Sequence, residues 1–339
     1  MTLQIALQNP NQQQQELQRR TSRTPLFNWK LLLGLTGVLV LLALSLVTGE
    51  FDILSGEQGK EMFAISRIPR TLALVLSGAA MTMSGLVMQL MAQNRFVEPS
   101  TTGTTEWAGL GLLLVLYFFP SASILTKMSG AVAFAFVGAM VFFLFLRRVS
   151  LRSSLIVPIV GIMLGAVISS VSTFFALQTD MLQSLSIWFA GSFTSVYQGQ
   201  YEILWIVLAA VVAVFILADR LTLAGLGEEF STNVGVNFQR VVLIATALIA
   251  IATGVVTVVV GSLPFLGLIV PNIVSMFRGD DLRSNLPWVC LTGIAVVTSC
   301  DLIARTIIAP FEMPVPVILG VVGAIVFIAL VLRGGRRAR

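Results

Sequence analysis

Long hydrophobic stretches, separated by shorter polar segments, make up most of this chain. Each stretch continues for about 20 residues, which is enough for a helix to cross the hydrocarbon core of a membrane. The apolar residues do not alternate with polar ones, as they would in the strands of a membrane barrel. We predict ten spanning helices, at about residues 31–48, 70–92, 103–119, 128–146, 154–176, 202–218, 241–260, 264–278, 286–307 and 315–332. The pattern predicts an all-α, polytopic membrane protein, with residues 25–339 as one transmembrane domain, and two halves of five helices favour an inverted repeat.

The polar segment Asp219–Arg240 interrupts this pattern between the sixth and seventh predicted spans. Its glycines, and the two glutamates that follow a Gly-Leu-Gly turn, indicate a turn and a short helix rather than a slack linker. The residues that carry this prediction are Gly225, Gly227, Glu228, Glu229 and Gly235. We expect this segment to be the place where the chain meets a partner outside the membrane.

Two other regions lie outside the predicted spans. Residues 1–24 are polar and rich in glutamine, and they predict a disordered tail. The segment Gln178–Gln200 carries four aromatic residues, which favours a short helix at the membrane interface. These aromatic residues are Trp188, Phe189, Phe193 and Tyr197.

Composition and charge narrow the class of protein. Of the 339 residues, 56% are hydrophobic and 11% are charged, whereas about a quarter of the residues of a soluble domain are charged. Sixteen of the 21 lysines and arginines fall on one side of the predicted membrane. We therefore place both termini and Asp219–Arg240 in the cytoplasm. The same distribution explains the net charge of +5 without a nucleic-acid partner.

Histidine is absent, and the cysteines are limited to Cys290 and Cys300. This argues against a zinc site, histidine-based catalysis and a disulfide framework. The sequence predicts no catalytic residue and no metal site.

Arginines on the outer side of the membrane are unexpected under this orientation. Arg67 and Arg70 open the second span, and Arg305 lies four residues after Asp301 in the ninth span, where the two can pair. An acidic external partner would explain Arg67 and Arg70, and attraction to lipid phosphates is the alternative. Neither member of the Asp301–Arg305 pair is expected to face lipid, because a charge at a helix centre costs about 2.5 to 3.5 kcal/mol.

Small residues recur on one face of the fifth span and again in the tenth span. They are Gly161, Gly165, Ser169, Thr173, Gly320 and Gly323. From spacing alone, this pattern is typical of closely packed helices.

Five motifs resemble those of one transporter family. Arg67–Gly85 (RIPRTLALVLSGAAMTMSG) resembles an RLPR opening followed by small residues, and Gly225–Gly235 (GLGEEFSTNVG) resembles a cytoplasmic coupling segment. Gly261–Pro271 (GSLPFLGLIVP) is similar to the pattern Gly-x-x-x-Phe-x-Gly-Leu-x-x-Pro. Asp301–Arg305 (DLIAR) and Pro310–Pro316 (PFEMPVP) resemble the closing motifs. By these motifs and their order, the chain is identified as a member of the FecCD-like permease subunits of ABC importers for iron-siderophores, haem and vitamin B12.

The resemblance implies a type II ABC importer permease of ten helices that pairs with an identical or a related permease in the bacterial cytoplasmic membrane. A periplasmic or lipoprotein siderophore-binding protein would dock its glutamates on Arg67, Arg70 and Arg305. The small residues of the fifth and tenth spans would line the translocation path.

The resemblance also implies two cytoplasmic ATPase subunits, which would hold ATP and magnesium and would bind the coupling segment. Gly225 and Gly227 would form the turn of this segment, and Glu228 and Glu229 would contact basic residues of the ATPase. The permease chain itself would be non-catalytic and would bind no cofactor.

Two departures from the family pattern are visible. The usual Asn-Pro-Leu-Ala-Asp-Pro is here Asn94–Pro99 (NRFVEP), and its continuation contains Glu106 and Trp107. This variant resembles the branch that handles catecholate-type ferric siderophores. We expect Glu106 and Trp107 at the cytoplasmic edge of the third span, where tryptophan commonly anchors a helix. Asn272 stands where the family has histidine, so no role of that histidine applies here.

The predicted function is therefore inward transport of a ferric siderophore, with ATP hydrolysed on separate subunits because the chain lacks the Walker A pattern. The alternative is a secondary transporter of a small molecule, driven by an ion gradient, which would need acidic or polar residues at broken helices near the membrane centre. A membrane enzyme would need a nucleophile and base or a metal site, and the sequence offers neither.

Overall fold

The structure, a computed structural model, describes residues 29–49, 60–148, 156–309 and 311–337. The predicted tail 1–24 lies outside these residues. The helices are α1 (Trp29–Val47), α2 (Ile68–Met91), α3 (Thr104–Phe118), α4 (Ile124–Arg148), α5 (Ile156–Gln178), α6 (Leu182–Ala190), α7 (Trp205–Gly225), α8 (Glu228–Asn233), α9 (Phe238–Val259), α10 (Leu266–Arg278), α11 (Leu282–Thr306) and α12 (Val315–Arg337). Ten of them match the ten predicted spans, and α6 and α8 are the short helices between spans. The prediction of an all-α, polytopic membrane protein is confirmed.

Seven of the helices are long and apolar enough to cross a membrane, and the apolar parts of α3, α10 and α12 are shorter. With 13 residues, α10 is about 20 Å long, less than the hydrocarbon core of about 30 Å. It begins inside the bundle, after a turn in which Gly261 has φ +93° and Phe265 has φ +62°. The predicted division of this region into two helices is confirmed.

Helix α2 lies at the centre of the bundle and packs against α7, α9, α10 and α11. Its small residues permit these close approaches. A Cβ at Gly85 would lie 2.0 Å from the carbonyl oxygen of Gly267 in α10, and a Cβ at Gly78 would lie 3.1 Å from Cα of Ile294 in α11. Larger side chains at either glycine would force the helices apart.

The start of α3 lies deep in the bundle, and this corrects the expected position of Glu106 and Trp107. Gly103 packs against Gly165, which is near the middle of α5. Trp107 packs against Gly138, near the middle of α4. Glu106 and Trp107 therefore lie against neighbouring helices rather than at a membrane edge. The sequence could not show this, because the chain re-enters the bundle before α3 begins.

The predicted short helix within Gln178–Gln200 is α6. Phe193 was expected at the membrane interface, but its side chain is fully buried in the core. Phe189 packs against Gly109 of α3, where a Cβ would lie 2.2 Å from the ring. This aromatic region therefore covers part of the bundle.

Candidate functional sites at the two ends of the bundle

A cluster of charged side chains lies at the end of the bundle where α2 begins. Nη2 of Arg70 lies 2.7 Å from Oδ1 of Asp301, and Nη1 of Arg70 lies 2.9 Å from Oε2 of Glu312. Asp301 also accepts a hydrogen bond from Arg305, four residues later on α11, as the sequence predicted. Asp301 is fully buried. Two arginines therefore provide it with ion-pair partners inside the protein.

Arg305 and Arg67 both donate to the end of α1. Nη1 of Arg305 donates to the carbonyl oxygens of Ser45 and Thr48, at 3.0 and 2.9 Å. Nη1 of Arg67 donates to the carbonyl oxygens of Leu46 and Val47, at 3.0 Å each. The last carbonyls of a helix have no partner within the helix and favour a positive charge. The two arginines therefore fix the C-terminal end of α1 to the bundle.

These side chains surround a cavity of about 840 Å³ that is open to the surface. Its lining includes Arg67, Arg70, Arg305, Glu312 and Thr194. Burial tends to raise the pKa of Glu312, but the hydrogen bond from Thr194 and the positive charge of Arg70 outweigh it and hold this pKa below its usual range. Glu312 is therefore ionised at neutral pH and keeps its pairing with Arg70.

The three arginines that the sequence singled out thus come together around one cavity. Their environment differs from the expected one, because Arg70 and Arg305 are only 8% and 9% exposed and are paired within the chain. Arg67 is the most accessible of the three, and docking of a binding protein on these arginines stays a prediction. Glu312 was not predicted for this site, although it stands within the PFEMPVP motif.

At the other end of α2, about 30 Å away along the helix, the polar segment Asp219–Arg240 is folded as predicted. Helix α7 continues through its first residues to Gly225, and α8 follows directly. Gly227 and Gly235 have φ of +107° and +85°, which are conformations that favour glycine. Gly225 was expected to form the turn, but it does not. It is helical, and a Cβ there would lie 3.1 Å from the side chain of Leu90.

Apolar side chains in α8 and on either side of it are exposed to solvent. Ser231 is buried, and its hydroxyl donates to the carbonyl oxygens of Gly227 and Leu223, which holds α8 against α7. Three apolar side chains spaced four residues apart remain exposed. They are Leu226, Phe230 and Val234, with exposed fractions of 57, 48 and 55%. We call them the α8 patch.

Charged residues flank the α8 patch. Glu229 is exposed, and Glu228 lies 3.2 Å from Arg147 at the end of α4. The prediction covered the two glutamates but not the apolar residues on either side of them. The signal available in the sequence was the presence of Leu226, Phe230 and Val234 within an otherwise polar segment, because neighbouring exposed apolar residues often mark a contact surface.

The small residues of α5 and α12 fall into two groups. A Cβ at Gly161 would lie 2.3 Å from the carbonyl oxygen of Thr101, and one at Gly165 would lie 3.1 Å from Cα of Gly103. A Cβ at Gly323 would lie 2.6 Å from Phe265. These three glycines pack against other parts of the chain. Ser169, Thr173 and Gly320 form the second group, and for all six residues lining a path stays a prediction.

The variant segment Asn94–Pro99 packs against α10. Glu98 is fully buried. Its carboxylate accepts hydrogen bonds from the backbone N–H groups of Phe265 and Leu268, at 2.7 and 3.0 Å. Nδ2 of Asn272 donates to the carbonyl oxygen of Arg95 at 2.7 Å. Asn272 therefore has a structural partner of its own.

Seven helices that are long and apolar enough to cross a membrane, with a charged cavity at one end of the bundle and exposed apolar side chains around a short helix at the other, fit a membrane transport protein. Residues 30–333 match the FecCD transport family. The chain belongs to this family, as its motifs indicated.

Individual relatives are similar over most of their length. The petrobactin import system permease protein FatD of Bacillus anthracis is 61% identical over 296 residues, which cover 87% of this chain and 89% of the relative. The ferric-anguibactin transport system permease protein FatD of Vibrio anguillarum is 37% identical, covering 80% of this chain and 86% of the relative. A solved inward-facing structure of a metal-chelate type ABC transporter has the same fold, with a TM-score of 0.77 and 24% identity over 91% of this chain and 100% of that one.

Proposed function

We propose that this chain is the permease subunit of an ABC importer that carries a ferric siderophore, of catecholate type, into the cytoplasm. The main support is the 61% identity to a petrobactin import permease over nearly the whole chain. The site geometry fits this function, because it offers a separate surface at each end of α2. In this proposal the protein lies in the bacterial cytoplasmic membrane with both termini in the cytoplasm.

The cytoplasmic partner in this proposal is a pair of ATPase subunits that hold ATP and magnesium. The α8 patch supports the assignment, since its three exposed apolar side chains resemble the centre of a protein interface more than a solvated loop. Glu229 lies beside it, where it can contact a basic residue of the ATPase.

The second membrane partner is another permease, either an identical copy or a related chain. Helices α5 and α12 have exposed apolar residues along much of their length, which include Met163, Val167, Phe174, Val321 and Ile325. Lipid can cover part of this surface. In the proposal the faces with Ser169, Thr173 and Gly320 border the path between the two permeases.

Transport by the reconstituted complex tests this function. With the ATPase and the binding protein present, we expect ATP-dependent uptake of ferric petrobactin into vesicles and no uptake of vitamin B12 or a ferric hydroxamate. An ATPase variant that binds ATP without hydrolysing it is the control. Uptake that persists without the ATPase and collapses with an uncoupler would favour the secondary transporter instead.

The secondary transporter has one point in its favour, which is the buried Glu98 at the start of the short helix α10. Such positions bind coupling ions in that class of protein. Here, however, the Glu98 carboxylate already accepts bonds from Phe265, Leu268 and Ser100. These bonds occupy its oxygens with donors, so the ABC importer is the better supported function.

Reversal of one charge tests the docking surface at the cavity. We expect Arg67→Glu to weaken binding of the binding protein by about tenfold at low salt, because it would repel the partner's carboxylates. Binding of the ATPase should be unchanged. The matched control is Lys127→Glu, a charge reversal on the same predicted side of the membrane but outside the cavity lining. Unchanged affinity for the binding protein, measured by surface plasmon resonance, would remove Arg67 from the docking surface.

A further inference from the structure

The segment between α2 and α3, residues 92–103, contacts both the coupling region and the helices deeper in the bundle. We call it the α2–α3 connector. It begins beside α8, where Nε2 of Gln93 donates to the carbonyl oxygen of Gly225 at 3.2 Å. Gln93 itself has φ +49°, which is uncommon for a residue with a side chain. The residue that contacts the end of α7 therefore has an uncommon backbone conformation.

From there the connector runs along α10. The carbonyl oxygen of Arg95 accepts from Asn272, in the middle of α10, and Glu98 reaches the N-terminal end of the same helix. The first N–H groups of a helix have no partner within the helix. Glu98 satisfies two of them from outside, and the hydroxyl of Ser100 donates to the same carboxylate at 2.5 Å.

Glu98 also stabilises an unusual backbone conformation. Glu98 accepts a hydrogen bond from the backbone N–H of Phe265. Phe265 has φ +62°, a left-handed conformation that costs about 1 to 3 kcal/mol for most residues other than glycine. The side chain of Phe265 lies directly on Gly323 of α12, where a Cβ would be 2.6 Å away. Glu98 therefore bonds directly to the residue that contacts α12.

The connector ends against α5. The carbonyl oxygen of Thr101 would be 2.3 Å from a Cβ at Gly161, and Gly103 lies on Gly165. One continuous segment of twelve residues thus touches α7 beside the coupling helix, both halves of α10, and α5. Through Phe265 it also reaches α12.

We infer that Glu98 is a positioning residue for transport, which holds the α2–α3 connector and the start of α10 as one unit so that movement at α8 reaches α5 and α12 together. This inference rests on the proposed function, because it assumes that α5 and α12 border the path. Glu98 does not contact the transported molecule. It acts through Phe265 and the connector.

The complete complex with Glu98→Gln tests the inference. An amide oxygen can accept from one of the two N–H groups, but the amide NH2 would face the other donor. A buried backbone N–H left without its acceptor predicts that cargo taken up per ATP falls by about tenfold. We expect ATP hydrolysis, and the KM for the loaded binding protein, to stay within about twofold of wild type, since neither partner surface is altered.

Two comparisons separate positioning from general damage. Glu98→Asp keeps the carboxylate, and we expect it to restore most of the uptake per ATP. Glu202→Gln is the matched control, because Glu202 also accepts a backbone N–H, that of Gly199 at 2.9 Å, but is exposed and away from the connector. It should behave as wild type.

Gly103→Ala is an independent variant at the other end of the connector, where a Cβ would lie 2.9 Å from Cα of Gly165. It should reduce uptake per ATP as Glu98→Gln does. Gly199→Ala is its control, since Gly199 also has positive φ, +98°, but has open space around it.

The inference is overturned if Glu98→Gln keeps the wild-type uptake per ATP, if Glu98→Asp is no better, or if uptake and ATP hydrolysis fall in equal proportion. If the wild-type complex itself shows no ATP-driven uptake, the proposed function has failed. That outcome is distinct from failure of the inference alone.

Discussion

Asparagine in place of Asp301 is expected to destabilise the protein by about 3 to 5 kcal/mol, because it removes one partner from a buried set of ion pairs. Asp301 has no exposed surface and lies between Arg70 and Arg305. The variant leaves two arginines in a buried position with less compensation. The measurement is the midpoint of unfolding in detergent, followed by the fluorescence of the tryptophans.

The matched control is Asp280→Asn, which breaks the ion pair with Arg95, where both side chains are more than half exposed. Exposed pairs contribute at most about 1 kcal/mol, so this variant should unfold near the wild-type midpoint. Equal stability of the Asp301 and Asp280 variants would show that the buried cluster does not stabilise this end of the bundle. A double variant that also replaces Arg305 with methionine should recover part of the loss, since it removes one of the uncompensated charges.

Aspartate in place of Phe230 is expected to weaken binding of the ATPase by about 30-fold or more, which is the effect of removing a central aromatic contact from an interface. Phe230 is the middle residue of the α8 patch, between Leu226 and Val234. Because its side chain is already half exposed, the substitution should leave the fold of the permease intact. Binding can be measured by co-purification and by biolayer interferometry on the detergent-solubilised permease.

Thr232→Asp is the control for Phe230→Asp. It adds the same charge to the same short helix, on the side away from Phe230, and Thr232 is also exposed. We expect only a small change in affinity. If both variants bind the ATPase equally well, the α8 patch is not the coupling surface, and the exposed apolar residues require another partner.

Much of the fold could be predicted from the sequence because the signal is long and local. Runs of apolar residues set the ten spanning helices, and the glycines and glutamates of Asp219–Arg240 set the short helix between α7 and α9. The pair Asp301–Arg305 was also predictable, since residues four apart share a helix face.

The other half of the charged cluster was not predictable in this way. Arg70 and Asp301 are 231 positions apart in the chain, and nothing near either residue specifies the pairing. The resemblance predicts that Arg70 and Arg305 bind a partner, which stays a prediction, and in the folded chain both are buried and paired with Asp301. A single sequence does not distinguish a charge kept for a partner from one that is paired within the protein.

Glycine spacing was ambiguous for a related physical reason. A face of small residues suits either the backbone of a neighbouring helix or an open passage, since both require the absence of large side chains. Gly161 and Gly165 have the first role, against Thr101 and Gly103. The deciding contact comes from the α2–α3 connector, which has no periodic pattern of its own.

The contact between Glu98 and the start of α10 also bears on how the chain enters the membrane. Synthesis proceeds from the N-terminus, so Glu98 is delivered to the bilayer well before residues 266–278 exist. A helix of 13 residues that contains Pro271 is a poor substrate for insertion by itself, because it is shorter than the hydrocarbon core. The Glu98 carboxylate, which is already in place, accepts two hydrogen bonds from the start of α10, and lipid has no group that could accept them. Glu98 is thus a hydrogen-bond acceptor that is synthesised before α10 and can stabilise this short helix when it enters the membrane.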